Sequence, residues 1–328
     1  MVIRPDILLD EHRVVTADGW ELRLERTLCP ERFDPRRRPL LIVPGYGMNS
    51  FIFGYHPRGT SMERCLAEGG FEVWSLDMRG QGSSRRIEPT EAPITLEGYA
   101  MADLPAAIAG VLGHSKTASD KLVLVGASLG GSIAYAYLAL AAAAPVAGVV
   151  ALGAPLRWVQ VHPVLRALFA SSWVAGALRL SGTRTWVRRL LPVLQRAPWL
   201  LSMYANTATI DVEHLPDMTA TVEDPQPEVN RQLSLWIRGR DLWLGGKNVT
   251  LAMRDVKVPL LVVLSNRDGI VPAPSALSAV DFWGGDAVEV LRVGDEHDWY
   301  AHANLFVGNE APTQVFAPLI EWLERAVP

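Results

Sequence analysis

Six short apolar runs that do not alternate with polar residues constrain this chain most: Leu40–Val43, Phe71–Leu76, Leu122–Val125, Val146–Leu152, Leu260–Leu264 and Val288–Val293. A strand with one wet face alternates apolar and polar side chains. A run without alternation needs apolar neighbours on both faces, as in a parallel sheet covered on both sides. Helix-length stretches lie between the runs, at Ser61–Glu68, Leu96–Leu112, Leu129–Ala143 and Ala273–Val280, with a last one at Thr313–Ala326. Parallel strands require such crossovers. The order therefore predicts an α/β fold with a mostly parallel central sheet flanked by helices. A hairpin precedes it, with His12–Val15 and Trp20–Leu24 as strands around a turn at Asp18-Gly19.

The alternation stops between about Arg157 and Arg254, where Trp, Leu, Arg and Pro recur in helix-like patterns without a strong strand run. The simplest reading is an insertion seated on top of the sheet, after its sixth strand. The expected division is a core of residues 1–156 and 255–328 and a mostly helical inserted unit of residues 157–254. From Arg157 to Ile210 there is no Asp or Glu, yet there are seven arginines, interleaved with Trp158, Trp173, Trp186 and Trp199. Such a stretch can be a solvated helical face balanced by the acidic Asp211–Glu228, a dock for a carboxylate or phosphate, or a membrane-interface surface.

Composition excludes more than it selects. The 328 residues are 49% apolar and 20% charged, enough to bury a large core. A net charge of −4 gives no global pull toward nucleic acid or anionic membrane. Cys29 and Cys65 alone make no disulfide framework. The start, MVIRPDILLDEHR, lacks the apolar stretch of a secretory leader. The longest apolar run, Ala167 to Leu178, is too short to span a bilayer. The expectation is a soluble, cytoplasmic protein; oligomeric state is not legible.

Chemistry is concentrated where Leu122–Val125 runs into Gly126-Ala127-Ser128-Leu129-Gly130-Gly131 and then an alanine-rich helix. A serine nucleophile on a sharp strand-to-helix turn needs nearly side-chain-free neighbours two positions away, here Gly126 and Gly130. The helix start then offers the Leu129 N–H and a positive dipole end to an oxyanion. The bland alternative is a glycine-rich turn with a capping serine.

With that elbow in place the chain resembles the α/β-hydrolase fold family over nearly all of its length outside the insertion. Pro44-Gly45-Tyr46-Gly47 looks like the family's oxyanion loop, with Pro44 in place of the usual histidine, and its position implies Tyr46 N–H as the second oxyanion donor. Asp77-Met78-Arg79-Gly80-Gln81-Gly82-Ser83-Ser84 is similar to a segment that is structural in the family. Ser265-Asn266-Arg267-Asp268-Gly269-Ile270-Val271-Pro272 resembles the stretch carrying the triad acid, which makes Asp268 the candidate to orient a histidine. The position after the sixth strand, Gly153-Ala154-Pro155-Leu156, offers no acid.

The resemblance places the histidine last. His302, in Tyr300-Ala301-His302-Ala303-Asn304, fits the family pattern with Asn304 where an acid is usual, and His297 is the competitor. An insertion after the sixth strand is typically a cap, or lid, over the family's substrate pocket. The resemblance implies a serine hydrolase cleaving a lipophilic carboxylic ester (esterase- or lipase-like) through an acyl-enzyme. The same triad also serves C–C bond, lactone or thioester hydrolysis and acyl transfer, and the scaffold can be a non-catalytic receptor. No cofactor or metal is expected, and Gly80-Gln81-Gly82 fails the dinucleotide fingerprint because Arg85 takes the third glycine's place.

Overall fold

The computed structural model describes residues 6–87, 92–177 and 179–328. Met1–Pro5, the first part of the stretch read for a leader, and Leu178, the end of the longest apolar run, lie outside the described residues. The strands are β1 (Leu8–Val15), β2 (Trp20–Leu28), β3 (Leu40–Val43), β4 (Val73–Asp77), β5 (Leu122–Ala127), β6 (Val146–Leu152), β7 (Leu260–Ser265) and β8 (Val288–Val293). They join one sheet in the order β1-β2-β4-β3-β5-β6-β7-β8, and the two-residue strand Arg85–Arg86 pairs with β2. Pairing is antiparallel from β1 to β4 and parallel from there to β8. Both hairpin strands are longer than the sequence pattern suggests.

The main helices are α1 (Met62–Glu68), α2 (Leu104–His114), α3 (Leu129–Leu140), α4 (Thr183–Arg196), α5 (Pro227–Gly239) and α6 (Ala317–Ala326). Alternate residues of the central strands feed two cores. Leu41 and Val43 of β3 join α2 and α3 side chains such as Leu104, Ile108 and Ile133. Leu40 and Ile42 join Leu66 of α1 and Leu319 and Trp322 of α6 on the other face. This two-sided burial is what the absence of alternation demanded. The exception is β8, where only Val293 is buried, because β8 is the sheet's edge and pairs with β7 alone.

Two helices predicted as continuous are broken in the same way. The stretch from Leu96 passes through a π turn at Tyr99–Asp103 before α2, and Pro312–Phe316 forms another before α6. Each is followed by a proline near the next helix start, Pro105 or Pro318, whose missing N–H ends the ordinary ladder. The expected helix Ala273–Val280 is likewise two short ones, Ala273–Ala276 and Ser278–Phe282.

Residues 157–254 lie between β6 and β7 and hold α4, α5, two six-residue helices (Pro163–Leu168 and Ser172–Ala177) and several single turns. They also include a small hairpin, Trp243–Leu244 with Lys247–Asn248, turning at Gly245-Gly246. Sequence patterning missed it because each strand has only two residues. Among the described residues no helix is long and apolar enough to cross a membrane.

Beneath the N-terminal half of the sheet, α1 buries Glu63, whose Oε2 accepts a hydrogen bond from Thr27 Oγ1 at 2.8 Å. Burial, with a smaller push from Glu25, raises the Glu63 carboxyl to about 7. A carboxyl raised on folding binds a proton that the unfolded chain releases. Stability should therefore fall as pH rises from about 4.5 to about 7. Glu63→Gln should flatten that slope and be the more stable form at pH 8, measured by denaturant unfolding at pH 5 and pH 8.

Candidate active site

The strand order reverses between β3 and β5, since the chain goes from β3 to its neighbour β4 and then returns to β3's other side with β5. In open α/β sheets the crevice at the carboxyl ends of such strands is where ligands bind. Two loops meet there: Pro44–Gly47 after β3, and Ser128 between β5 and α3.

Ser128 has φ +53° and ψ −120°, and among the described residues Arg240 is the other non-glycine residue with positive φ. Such a conformation costs on the order of 1–3 kcal/mol and persists only where its surroundings over-determine it. Here Ser128 N–H donates to Leu152 O at 2.7 Å, and Gly131 N–H donates to Ser128 O at 3.0 Å. The flanking glycines make the turn sterically possible. A Cβ on Gly130 would lie 2.1 Å from Val43 O, and one on Gly126 would lie 2.3 Å from the Gly131 Cα. Leu129, which opens α3, is buried.

Asp268 follows β7 and is almost fully buried. Its Oδ1 accepts hydrogen bonds from the Ile270 and Val271 N–H groups at 2.8 and 2.7 Å. Those bonds leave Oδ2 free to face His302 Nδ1, 2.6 Å away. With the carboxylate ionised, the imidazole donates and Nε2 is left as the basic nitrogen. His302 is buried, whereas His297 is exposed in the loop after β8, its N–H donating to Asp295 Oδ1. The structure thus brings His302 to Asp268 and leaves His297 at the surface.

Gly153 has an unforeseen part in this pairing. It has φ +56°, and a Cβ there would sit 2.9 Å from His302 Cε1 and 3.0 Å from Nδ1. Gly153→Ala would push the imidazole off its carboxylate. With His302 as the base proposed below, an ångström's displacement should cost about a hundredfold in kcat. Steady-state kinetics, with circular dichroism to verify folding, would check it.

Tyr46, Ser128, Leu129 and His302 all line one cavity of about 400 Å³. Its remaining wall is largely apolar and includes Trp158 and Phe169, Leu191 and Leu194 of α4, and Leu233 and Trp236 of α5. A larger cleft, about 730 Å³, opens among Arg23, Glu25 and Glu63 and contains none of these candidate residues. Among the described residues no group of three or more His, Cys, Asp or Glu side chains is arranged to hold a metal ion.

The 157–254 segment is tied to both halves of the site. Met203 O accepts from Gly269 N–H beside Asp268, and Tyr204 O accepts from Ala303 N–H beside His302. Asn304, fully buried, accepts from Asn206 N–H and Ala301 N–H and donates to Asn206 O and Thr209 Oγ1. Asn206 Nδ2 in turn donates to Trp299 O. On the other side, Met48 bridges to Val222 like a short strand pair, and Tyr46 OH donates to Asn230 Oδ1 of α5 at 2.5 Å. An aspartate at 304 could accept but not donate, so the amide is what closes this network. Asn304→Ala would strand several buried partners. We expect a loss of about 3 kcal/mol, read as a lower midpoint in thermal or denaturant unfolding.

The loop after β4 has a supporting role. Asp77 accepts from Ser50 N–H, Ser50 Oγ and Ser83 N–H, while buried Arg79 pairs with Asp103 and Asp18. Gly82, at φ +53°, could carry no Cβ without meeting Asp77 Oδ2 at 1.9 Å.

A family model described as "alpha/beta hydrolase fold" matches residues 38–299. The chain belongs to the α/β-hydrolase fold family. As an α/β hydrolase it is 31% identical over 140 residues to "Triacylglycerol lipase 2" of Arabidopsis thaliana. That match covers 39% of this chain and spans about a third, 32%, of the plant protein. Among solved structures it superposes on a soluble variant of monoglyceride lipase from Saccharomyces cerevisiae with a TM-score of 0.66 at 14% identity, covering 100% of this chain and 96% of that one. An esterase from Rhodococcus sp. ECU1013 superposes with a TM-score of 0.62 at 17% identity, covering 96% and 99%. A thermophilic esterase from Thermogutta terrifontis gives 0.62 at 20% identity, covering 97% and 100%. At these identities the superpositions speak to the shared fold.

Proposed function

We propose that this α/β hydrolase is a serine hydrolase that cleaves a carboxylic ester of a lipophilic substrate through an acyl-enzyme. The observation that carries the reading is that one apolar cavity holds Ser128, on a strained strand-to-helix turn, and His302, paired with Asp268. His302 Nε2 takes the proton of Ser128 Oγ as the oxygen attacks the ester carbonyl. The N–H groups of Tyr46 and Leu129 receive the oxyanion. His302 then returns the proton to the leaving alcohol. A water, deprotonated by the same nitrogen, releases the carboxylic acid. Asp268 holds the imidazole tautomer and stabilises its cation.

Residues 157–254 act as the cap of a core formed by residues 1–156 and 255–328. Their leucines and tryptophans supply the apolar wall for the acyl chain. A panel of p-nitrophenyl esters of graded chain length tests the reading. A burst of p-nitrophenol, strongest for chains longer than acetyl, is the expected result. Absence of turnover on every ester, with tight reversible ligand binding, would replace it by a receptor.

A further inference from the structure

The helix α4 carries two apolar stripes where a cavity wall needs one. Val187, Leu191 and Leu194, spaced i, i+4, i+7, line the cavity. Trp186, Leu190 and Val193 repeat that spacing one residue earlier and are 60%, 53% and 54% exposed. The turn after the helix continues outward with Trp199 and Leu200, 72% and 46% exposed. Single exposed apolar residues are ordinary, but a contiguous stripe is not. Arg188, Arg189 and Arg196 on the same helix are also exposed, with the Arg189 guanidinium 5.5 Å from the Trp186 ring centre.

The charge around the stripe selects what can cover it. Between residues 157 and 210 there are seven arginines and no acid. Arg157 and Arg184 are neutralised by Asp241 and Glu223. Among the described residues Arg166, Arg188, Arg189 and Arg196 have no ion-pair partner within 4 Å, although Asp217 lies within the field of Arg188. A second copy docking through this face would set arginine against arginine, because a two-fold contact brings the same patch from both chains. Tryptophan beside arginine on an amphipathic helix matches the headgroup level of a membrane, where the ring is half-buried and the guanidinium meets lipid phosphate.

We infer that the outer face of α4, with Trp199 and Leu200, docks on an anionic phospholipid surface. The cavity stripe lies one residue, about 100°, round the same helix, so docking sets the cavity beside the layer in which a lipophilic ester dissolves. That last step rests on the function proposed above; the docking does not.

Co-sedimentation of the full chain with phosphatidylcholine vesicles, with and without one-third phosphatidylglycerol, tests the inference at about 0.1 M salt. The test uses both the unmodified chain and Ser128→Ala, so that binding is read independently of turnover. Binding should be strong only to the anionic vesicles. Arg188→Gln, Arg189→Gln and Arg196→Gln should each weaken it about fivefold. The pair Trp186→Ser and Leu190→Ser should abolish it. The arginine, tryptophan and leucine variants should keep the circular dichroism spectrum and the short-chain ester turnover of the unmodified chain. Absence of vesicle binding, binding indifferent to phosphatidylglycerol, or binding unchanged by the substitutions would overturn the inference. So would a lipid-free dimer dispersed by Trp186→Ser, which would assign the face to a second copy.

Discussion

Ser128→Ala should lower kcat by about 10⁶-fold on any ester the protein hydrolyses, with KM little changed. The proposed reaction passes through a covalent bond to Ser128 Oγ, the hydroxyl on the strained strand-to-helix turn. The proposed oxyanion donors survive the substitution because they are backbone N–H groups, so a remnant of acceleration over water should persist. The fold should survive too, and for a specific reason. An alanine keeps the same Cβ at φ +53°, so the backbone strain at the turn is unchanged. Unchanged thermal unfolding alongside lost turnover is therefore the combined expectation. A large drop in stability would mean that the hydroxyl had been holding the turn together.

His302→Ala should be nearly as severe, with a loss of several orders of magnitude in kcat, while His297→Ala should change it less than about threefold. The contrast follows from position. His302 is buried against Asp268 at 2.6 Å, whereas His297 sits on an exposed loop and lines no part of the cavity. Removing His302 also leaves Asp268 as a buried carboxylate without its imidazole. Its two remaining bonds, from Ile270 and Val271, limit the accompanying loss of stability. Steady-state kinetics on one p-nitrophenyl ester for the three proteins separates the two histidines. A reversed order would move the base to His297.

Much of this architecture was legible because its causes are local. A run such as Leu122–Val125 must be buried on both faces, and Gly126 and Gly130 are demanded by a turn so tight that a methyl group would overlap backbone. The edge strand β8 escaped the same logic, since burial on one side depends on where the sheet ends. The π turns before Pro105 and Pro318 escaped it because a helical pattern runs straight through a one-residue widening. Within the site, Asp268 and His302 could be proposed from motif resemblance, but choosing His302 over His297 from residues alone was not possible. That difference is set by how the loop after β8 returns to β7.

Gly153 and the pair of Asn206 and Asn304 were hidden for another reason. Gly153 was read only for lacking a carboxylate, yet its missing side chain is what admits the imidazole. Asn206 and Asn304 lie 98 residues apart in the chain, and nothing in either neighbourhood announces that their amides and backbones will meet. A signal did exist at Asn304, where an amide replaces the usual acid, but its meaning depended on the donors and acceptors that surround it. How segments 203–209 and 221–223 bond to the loops after β3, β7 and β8, on the two sides of the site, was hidden likewise.

Covalent trapping with an alkyl fluorophosphonate, located by peptide mass spectrometry, tests the central claim most directly. A single adduct on the peptide carrying Ser128, formed rapidly in the unmodified protein, is the expected result. It should form far more slowly in His302→Ala and not at all in Ser128→Ala. An adduct on another residue, or ester turnover that persists in the Ser128→Ala protein, would contradict it.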